Sequence, residues 1–325
     1  MLKRLIMGVF IVAAGAFVVY AVIRCLPSSY VETIARQRAS NPASNMSYEQ
    51  WLAQLNTVYR LDRGIVEGFL GWLADALRGN FGNSWEYGIP VTQKFRQVIG
   101  YSIFLNIVTL VVQLFISIPL GIMAAKKQYS KSDYIITFLA IAGISLPAFF
   151  LATILKYVFS VKLGWFDISG LTGRYHMQLG TLGQLLDIAH HMVLPIIVLS
   201  MFSIGGLMRY TRTNMLEVLH SDYIRTARAK GLSEKQVVNK HAFRNTLIPL
   251  ITYMSYLLPG MFGGSMITET MFKIEGIGYV AYQAMYKGDI PFAMFYTVFI
   301  MALTQISLIV ADIMYAVADP RVRVR

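Results

Sequence analysis

The sequence predicts an all-α polytopic membrane protein with six transmembrane helices. Three observations carry that expectation. First, 56% of the 325 residues are hydrophobic and only 14% are charged, whereas ordinary soluble domains carry about 25% charge. Second, six apolar stretches approach or exceed the ~20 residues needed to cross about 30 Å of hydrocarbon: 5–23, 102–125, 135–159, 192–208, 248–270 and 292–317. Third, none of them alternates with period two, which argues against a transmembrane barrel. A mean hydropathy of +0.53 agrees, and 13% aromatic residues do not belong to a solvated, disordered chain.

The first stretch follows Lys3 and Arg4. It is longer than the 7–15-residue core of a cleavable signal and ends in Ile23-Arg24-Cys25-Leu26-Pro27 without a small-residue cleavage site, so 1–25 reads as a retained N-terminal transmembrane helix. Cys25, the single cysteine, excludes an internal disulfide. Segment 26–99 is too long for a turn and reads as a small, partly helical extracytoplasmic cap. Helical patterns run through Trp51-Leu52-Leu55 and Phe69-Leu70-Trp72-Leu73-Leu77. Residues 100–325 form a five-helix core with a polar loop at 210–247.

Within that core, Asn106, Gln113 and Ser117 fall within about 40° of one another on a helix of 3.6 residues per turn, with Thr109 nearby. Polar side chains at membrane depth mark a transport path, but they also serve helix–helix hydrogen bonding; the first reading makes this stripe the candidate wall of the path. Pro147 and Pro195 are expected to kink or start helices, and Gly260-x-x-x-Gly264 to permit close helix packing. His190 and His191 are placed at the membrane interface. Asp312, inside the sixth stretch, has two readings, a proton or ion path and pairing with Arg321 or Arg323, and the structural pairing is favoured.

The basic balance, +12 with a pI near 9.7, is a topology signal. Sixteen of the 29 Lys and Arg fall at the N-terminus, at 126–131, at 209–244 and at the C-terminus, with five acids beside them. The other side holds 13 basic residues and 11 acids. Positive loops face inward, so both termini are expected in the cytoplasm, and nucleic-acid binding loses its support.

The sharpest local signal lies between the fourth and fifth stretches. Ser221 stands where an N-cap is wanted, and Asp222 adds negative charge to the first turn. Gly231 is the expected left-handed stop. Ser233 with Gln236 completes a capping box for a second short helix. Ala227 and Ala229 would let a partner surface approach, with Tyr223 and Arg228 as anchors. Composition alone allows a plain solvated loop.

The run Asp222-Tyr223-Ile224-Arg225-Thr226-Ala227-Arg228-Ala229-Lys230-Gly231, followed by His241-Ala242-Phe243-Arg244-Asn245 and Pro249, resembles the "EAA" loop of ABC importer permeases. In particular it is similar to the B-type membrane subunit of dipeptide and oligopeptide permeases. His191-Met192-Val193-Leu194-Pro195, Glu269-Thr270-Met271-Phe272 with Gly276-Ile277-Gly278, and Asp312-Ile313-Met314-Tyr315 with Asp319-Pro320-Arg321 agree in order. The resemblance implies type I importer architecture in a bacterial plasma membrane. It also implies a coupling helix whose Ser221, Asp222, Tyr223, Thr226, Ala227, Arg228, Ala229 and Gly231 contact an ATP-hydrolysing subunit. The partners it implies are a second homologous permease, two ABC ATPases, an extracytoplasmic peptide-binding protein and the lipid bilayer.

No Gly-x-x-x-x-Gly-Lys-Ser/Thr phosphate loop occurs, and no glycine is followed by lysine. No cofactor is therefore expected on this chain, ATP and Mg being bound by the partners. No hydrolase or metalloprotease motif is present, and no carboxylate is read at ligand spacing to His190-His191, so neither a catalytic nor a metal site is expected. Nickel complexes or oligosaccharides remain as alternative cargoes, and an ion-coupled secondary transporter as an alternative class. A membrane enzyme lacks the necessary nucleophile and base.

Overall fold

The computed structural model describes residues 2–25, 30–40, 46–58, 63–255, 257–263 and 265–318. In chain order the helices are α1 Leu2–Arg24, α2 Tyr30–Ala39, α3 Tyr48–Val58, α4 Ile65–Leu77, α5 Val91–Lys126, α6 Lys131–Ser145 and α7 Ala148–Leu155. They continue with α8 Thr181–Leu219, α9 Asp222–Ala229, α10 Glu234–Gln236, α11 Phe243–Ser255, α12 Leu258–Gly263, α13 Met266–Phe272, α14 Ile277–Lys287 and α15 Ile290–Ala318. Among the described residues the only β pairing is an isolated bridge between Asn83 and Pro90.

Among the described residues four helices are long and apolar enough to cross a membrane, and two bent pairs, each taken as one span, bring the number to six. The third stretch breaks at Pro147, where the sequence places a kink or a helix start. It bends by 98° between α6 and the segment Ala148–Lys162, because Leu146 is extended and Pro147 caps the start of α7; the residue before a proline is pushed out of the helical region. Pro195, by contrast, sits inside an unbroken α8. The fifth stretch starts at a second bend, of 44°, between Glu234–Leu247 and Pro249–Phe272.

The chain forms two compact units. One comprises 2–98 and 280–305. In it, α1 packs through Ala16 and Tyr20 on Phe69 of α4 and Met294 of α15, with Gly68 leaving room for the Tyr20 ring. Helices α3 and α4 cover both helical patterns read in the 26–99 segment. Asp289, fully buried, accepts from the Ser84 hydroxyl, the Trp85 amide at 3.1 Å and the Phe292 amide at 3.3 Å. It thereby caps α15 and pins the turn at 84–90.

The other unit comprises 99–279 and 306–325, so the expected core 100–325 is divided, with 280–305 grouped with the N-terminal part. Its central member is α8, 39 residues long and about 58 Å at 1.5 Å per residue. Glycines bring neighbouring backbones against it. A Cβ on Gly121 of α5 would lie 2.8 Å from the Met208 carbonyl, and one on Gly205 would lie 2.5 Å from the Ala140 carbonyl of α6. Gly260, expected to pack closely, has open space where its side chain would be, and Gly264 lies outside the described residues.

Candidate functional site

The 210–247 loop is built on the end of α8. His220 closes that helix, and Ser221 takes the extended conformation of an N-cap (φ −72°, ψ 152°). Its side chain does not cap α9: the hydroxyl donates to the Val218 carbonyl at 2.6 Å. The sequence located the position but not the bond, because a serine between two helices can serve either. Gly231 has φ +77°, and its amide donates to the Arg228 carbonyl at 3.0 Å, ending α9 in the left-handed region. Ser233 and Gln236 form both hydrogen bonds of the expected capping box.

Helix α9 divides sharply into two faces. Ile224 and Ala227 are buried against Met215, Leu219, Val237, Val238 and Ala242. Ala227 therefore supports the helix from beneath, where the sequence reading had it facing a partner. Arg228 forms a two-pronged ion pair with Glu234, 3.2 Å from Nε and 2.9 Å from Nη2, in place of standing free as an anchor. That guanidinium holds the Glu234 carboxyl below its usual range. Asp222, Tyr223, Arg225, Thr226, Ala229 and Lys230 are exposed, Tyr223 by 48%. Asp222, Thr226 and Ala229 share one side by helical spacing, and the small side chains of Thr226 and Ala229 leave the middle of that face open to a partner surface.

The α5 stripe is found in a helix–helix seam. Gln113 donates to the Ser203 carbonyl and Ser117 to the Ile204 carbonyl of α8, both at 3.1 Å. Thr109 donates to its own helix at Leu105. Asn106, half-buried, donates to the Ser102 carbonyl and accepts from the Ser265 hydroxyl at 3.1 Å. Thr109, Gln113 and Ser117 are buried, and in this conformation Gln113 and Ser117 join α5 to α8 while Asn106 joins it to Ser265.

Three polar centres escaped the sequence reading. Asp133 of α6 and Arg212 of α8 form a bidentate pair at 2.7 and 2.8 Å, and Asp133 also accepts the Tyr129 amide at 3.0 Å. Glu269 of α13 is fully buried and bonded to Ser102 of α5. Asp187, one turn before His191, lies against His176 Nδ1 at 2.6 Å and His191 Nδ1 at 3.4 Å, while Asp167 approaches His191 Nε2 at 2.9 Å. A carboxylate thus does stand at helical spacing from His191. Even so, no group of three or more His, Cys, Asp or Glu among the described residues could hold a metal ion. The i, i+4 spacing was a usable signal for Asp187; the other two join residues 79 and 167 positions apart.

Helices long and apolar enough to cross a membrane, with a polar loop that buries one helix face and exposes the other, define a polytopic membrane protein. Comparison with known proteins carries this further: the chain belongs to the binding-protein-dependent transport system inner membrane component family, whose profile matches residues 117–324. It is 40% identical over 255 residues to the oligopeptide transport system permease protein AppB of Bacillus subtilis, covering 78% of this chain and 79% of that one. It is 33% identical over 324 residues to a putative peptide permease protein of Brucella ovis, covering 99% and 98%. Its fold matches an inward-facing structure of the MetNI methionine ABC transporter with a TM-score of 0.55 and 16% identity, over 70% of this chain and 97% of that chain. The family and the apolar helices make it a multi-pass inner-membrane protein.

Proposed function

We propose that this chain is the membrane-spanning subunit of an ATP-driven importer that carries di- and oligopeptides into the cell by alternating access. The observation that carries the proposal is the two-sided α9, with Ile224 and Ala227 locked to the end of α8 and a small-residue face left exposed. Such a helix receives a push and hands it to α8. The peptide-permease names of its relatives support the cargo class over nickel complexes or oligosaccharides, and family membership argues against an ion-coupled carrier.

In this reading α9 faces the cytoplasm with both termini, and the 26–99 cap faces an extracytoplasmic binding protein. Two ABC ATPases hold ATP and Mg, and a second homologous permease completes the route. Asn106, Thr109, Gln113 and Ser117 then border the path in conformations where α5 and α8 separate.

Uptake of labelled peptides, nickel and oligosaccharides by the reconstituted complex tests the cargo, and uptake of either alternative without peptide uptake would overturn it. Two substitutions test the contact. Gly231→Val forces a β-branched residue to φ +77° at a cost of about 1–3 kcal/mol. ATP hydrolysis should persist while peptide uptake drops. Ala229→Trp, on the exposed face, should leave folding intact and abolish co-purification of the ATPase chains. Retained co-purification and uptake would remove α9 from the interface.

A further inference from the structure

Glu269 lies on α13, and none of it reaches solvent. Its carboxylate meets donors only. Oε1 accepts from the Ser102 hydroxyl at 2.8 Å and the Ser265 amide at 3.0 Å, and Oε2 accepts from the Tyr279 amide at 2.9 Å. The Ser102 hydroxyl in turn accepts the Ile277 amide at 2.7 Å. Two glycines close the wrapping: a Cβ on Gly276 would overlap both Ser102 Oγ and the carboxylate, and one on Gly278 would lie 2.7 Å from the Met266 nitrogen. Three pieces of chain are thereby fastened at one point: α5, the start of α13, and the turn into α14.

The chemistry of this point is specific. A carboxylate is acceptor-only, and every partner here donates. Glutamine would keep the shape but set an NH2 group against an N–H or O–H. Releasing the joint would strand a buried carboxylate and several unpaired donors, which is unfavourable away from water. The joint is therefore built to stay closed while the surrounding helices move.

It also completes a mechanical series. Helix α9 packs on the end of α8, α8 is bonded to α5 through Gln113 and Ser117, and α5 is bonded to α13 through Ser102 and Glu269. We propose that Glu269 is a positioning residue for transport, whose carboxylate fastens the 265–279 turn to α5 so that the two travel as one piece during alternating access. The proposal rests on the importer reading above.

The test uses the complete transporter, with its ATPase chains and binding protein, reconstituted in liposomes. Wild type is measured first: absence of peptide uptake there would count against the importer reading and not against this joint. Given wild-type uptake, Glu269→Gln should lower peptide imported per ATP hydrolysed by about tenfold, within the range by which broken links alter coupling. An unchanged ratio in an assembled Glu269→Gln complex overturns the proposal. Should that variant fail to assemble, Ser102→Thr and Ser102→Val decide, since they have equal bulk and differ by the hydroxyl. Uptake per ATP kept by threonine and lost by valine supports the joint; equal values for the two overturn it.

Discussion

Arg212→Leu is expected to destabilise the chain by about 3–5 kcal/mol, because it leaves the Asp133 carboxylate buried without its cation. The Asp133 side chain is 4% exposed and that of Arg212 is 23%, so water cannot take over the lost partner. The effect should appear as a sharp fall in the amount of protein recovered from membranes and a lower unfolding temperature in detergent. The double variant Asp133→Leu with Arg212→Leu should recover part of the loss, since no bare charge remains. Recovery stays incomplete because the Tyr129 amide, now held by Asp133 at 3.0 Å, loses its acceptor at about 1–3 kcal/mol. A single variant as stable as wild type would mean that the pair does not hold α6 to α8.

The position of this pair gives it functional weight. Arg212 lies between the Gly205 crossing and the buried Met215 and Leu219 that support α9. Under the proposed function, a push on α9 enters a helix already tied to α6 by this pair and to α5 by Gln113 and Ser117, which makes α8 the member that would distribute a displacement of the loop.

How much of this was readable in advance depends on the range of the interactions. Gly231 and the Ser233–Gln236 box were legible because a helix stop and a capping box are decided within four residues. The apolar stretches were legible because solvation by lipid is a property of composition. Hydropathy nevertheless measures contact with lipid and not helix length: the fourth stretch, read as 192–208, lies within a helix running from Thr181 to Leu219, whose polar ends have no reason to leave the helical conformation. The bend at Pro147 was flagged, but its 98° size follows from packing of Leu151 and Ala152 on α8 and Phe272. The ion pair at 133 and 212 and the joint at 102 and 269 were hidden because a charged residue does not announce a partner tens of residues away. The glycine pattern is legible only in part. Gly260-x-x-x-Gly264 has the familiar spacing, but Gly264 lies outside the described residues and Gly260 meets nothing within this chain, whereas Gly121, Gly143 and Gly205 bring the backbones of α5, α6 and α8 together.

Those glycines carry the second large expectation. Gly205→Val should prevent α6 and α8 from closing, because its first side-chain carbon would lie 2.5 Å from the Ala140 carbonyl oxygen and 2.7 Å from Ile144 Cγ1. The side chain of Ile144 can turn away, but the Ala140 carbonyl belongs to a helix and yields only if α6 itself moves. Overpacking of this kind costs about 1–3 kcal/mol, and more where backbone must shift. The shift would also separate Asp133 from Arg212 on the same two helices, so the two losses should compound. Gly260→Val supplies the contrast, since nothing lies within 4 Å of its added carbon in this chain. Membrane-extracted protein should therefore be depleted for Gly205→Val and normal for Gly260→Val. If Gly260→Val is stable alone yet fails to assemble with a second permease chain, that glycine packs between subunits. If Gly205→Val folds and transports as wild type, the close crossing of α6 and α8 is not what fixes this helix.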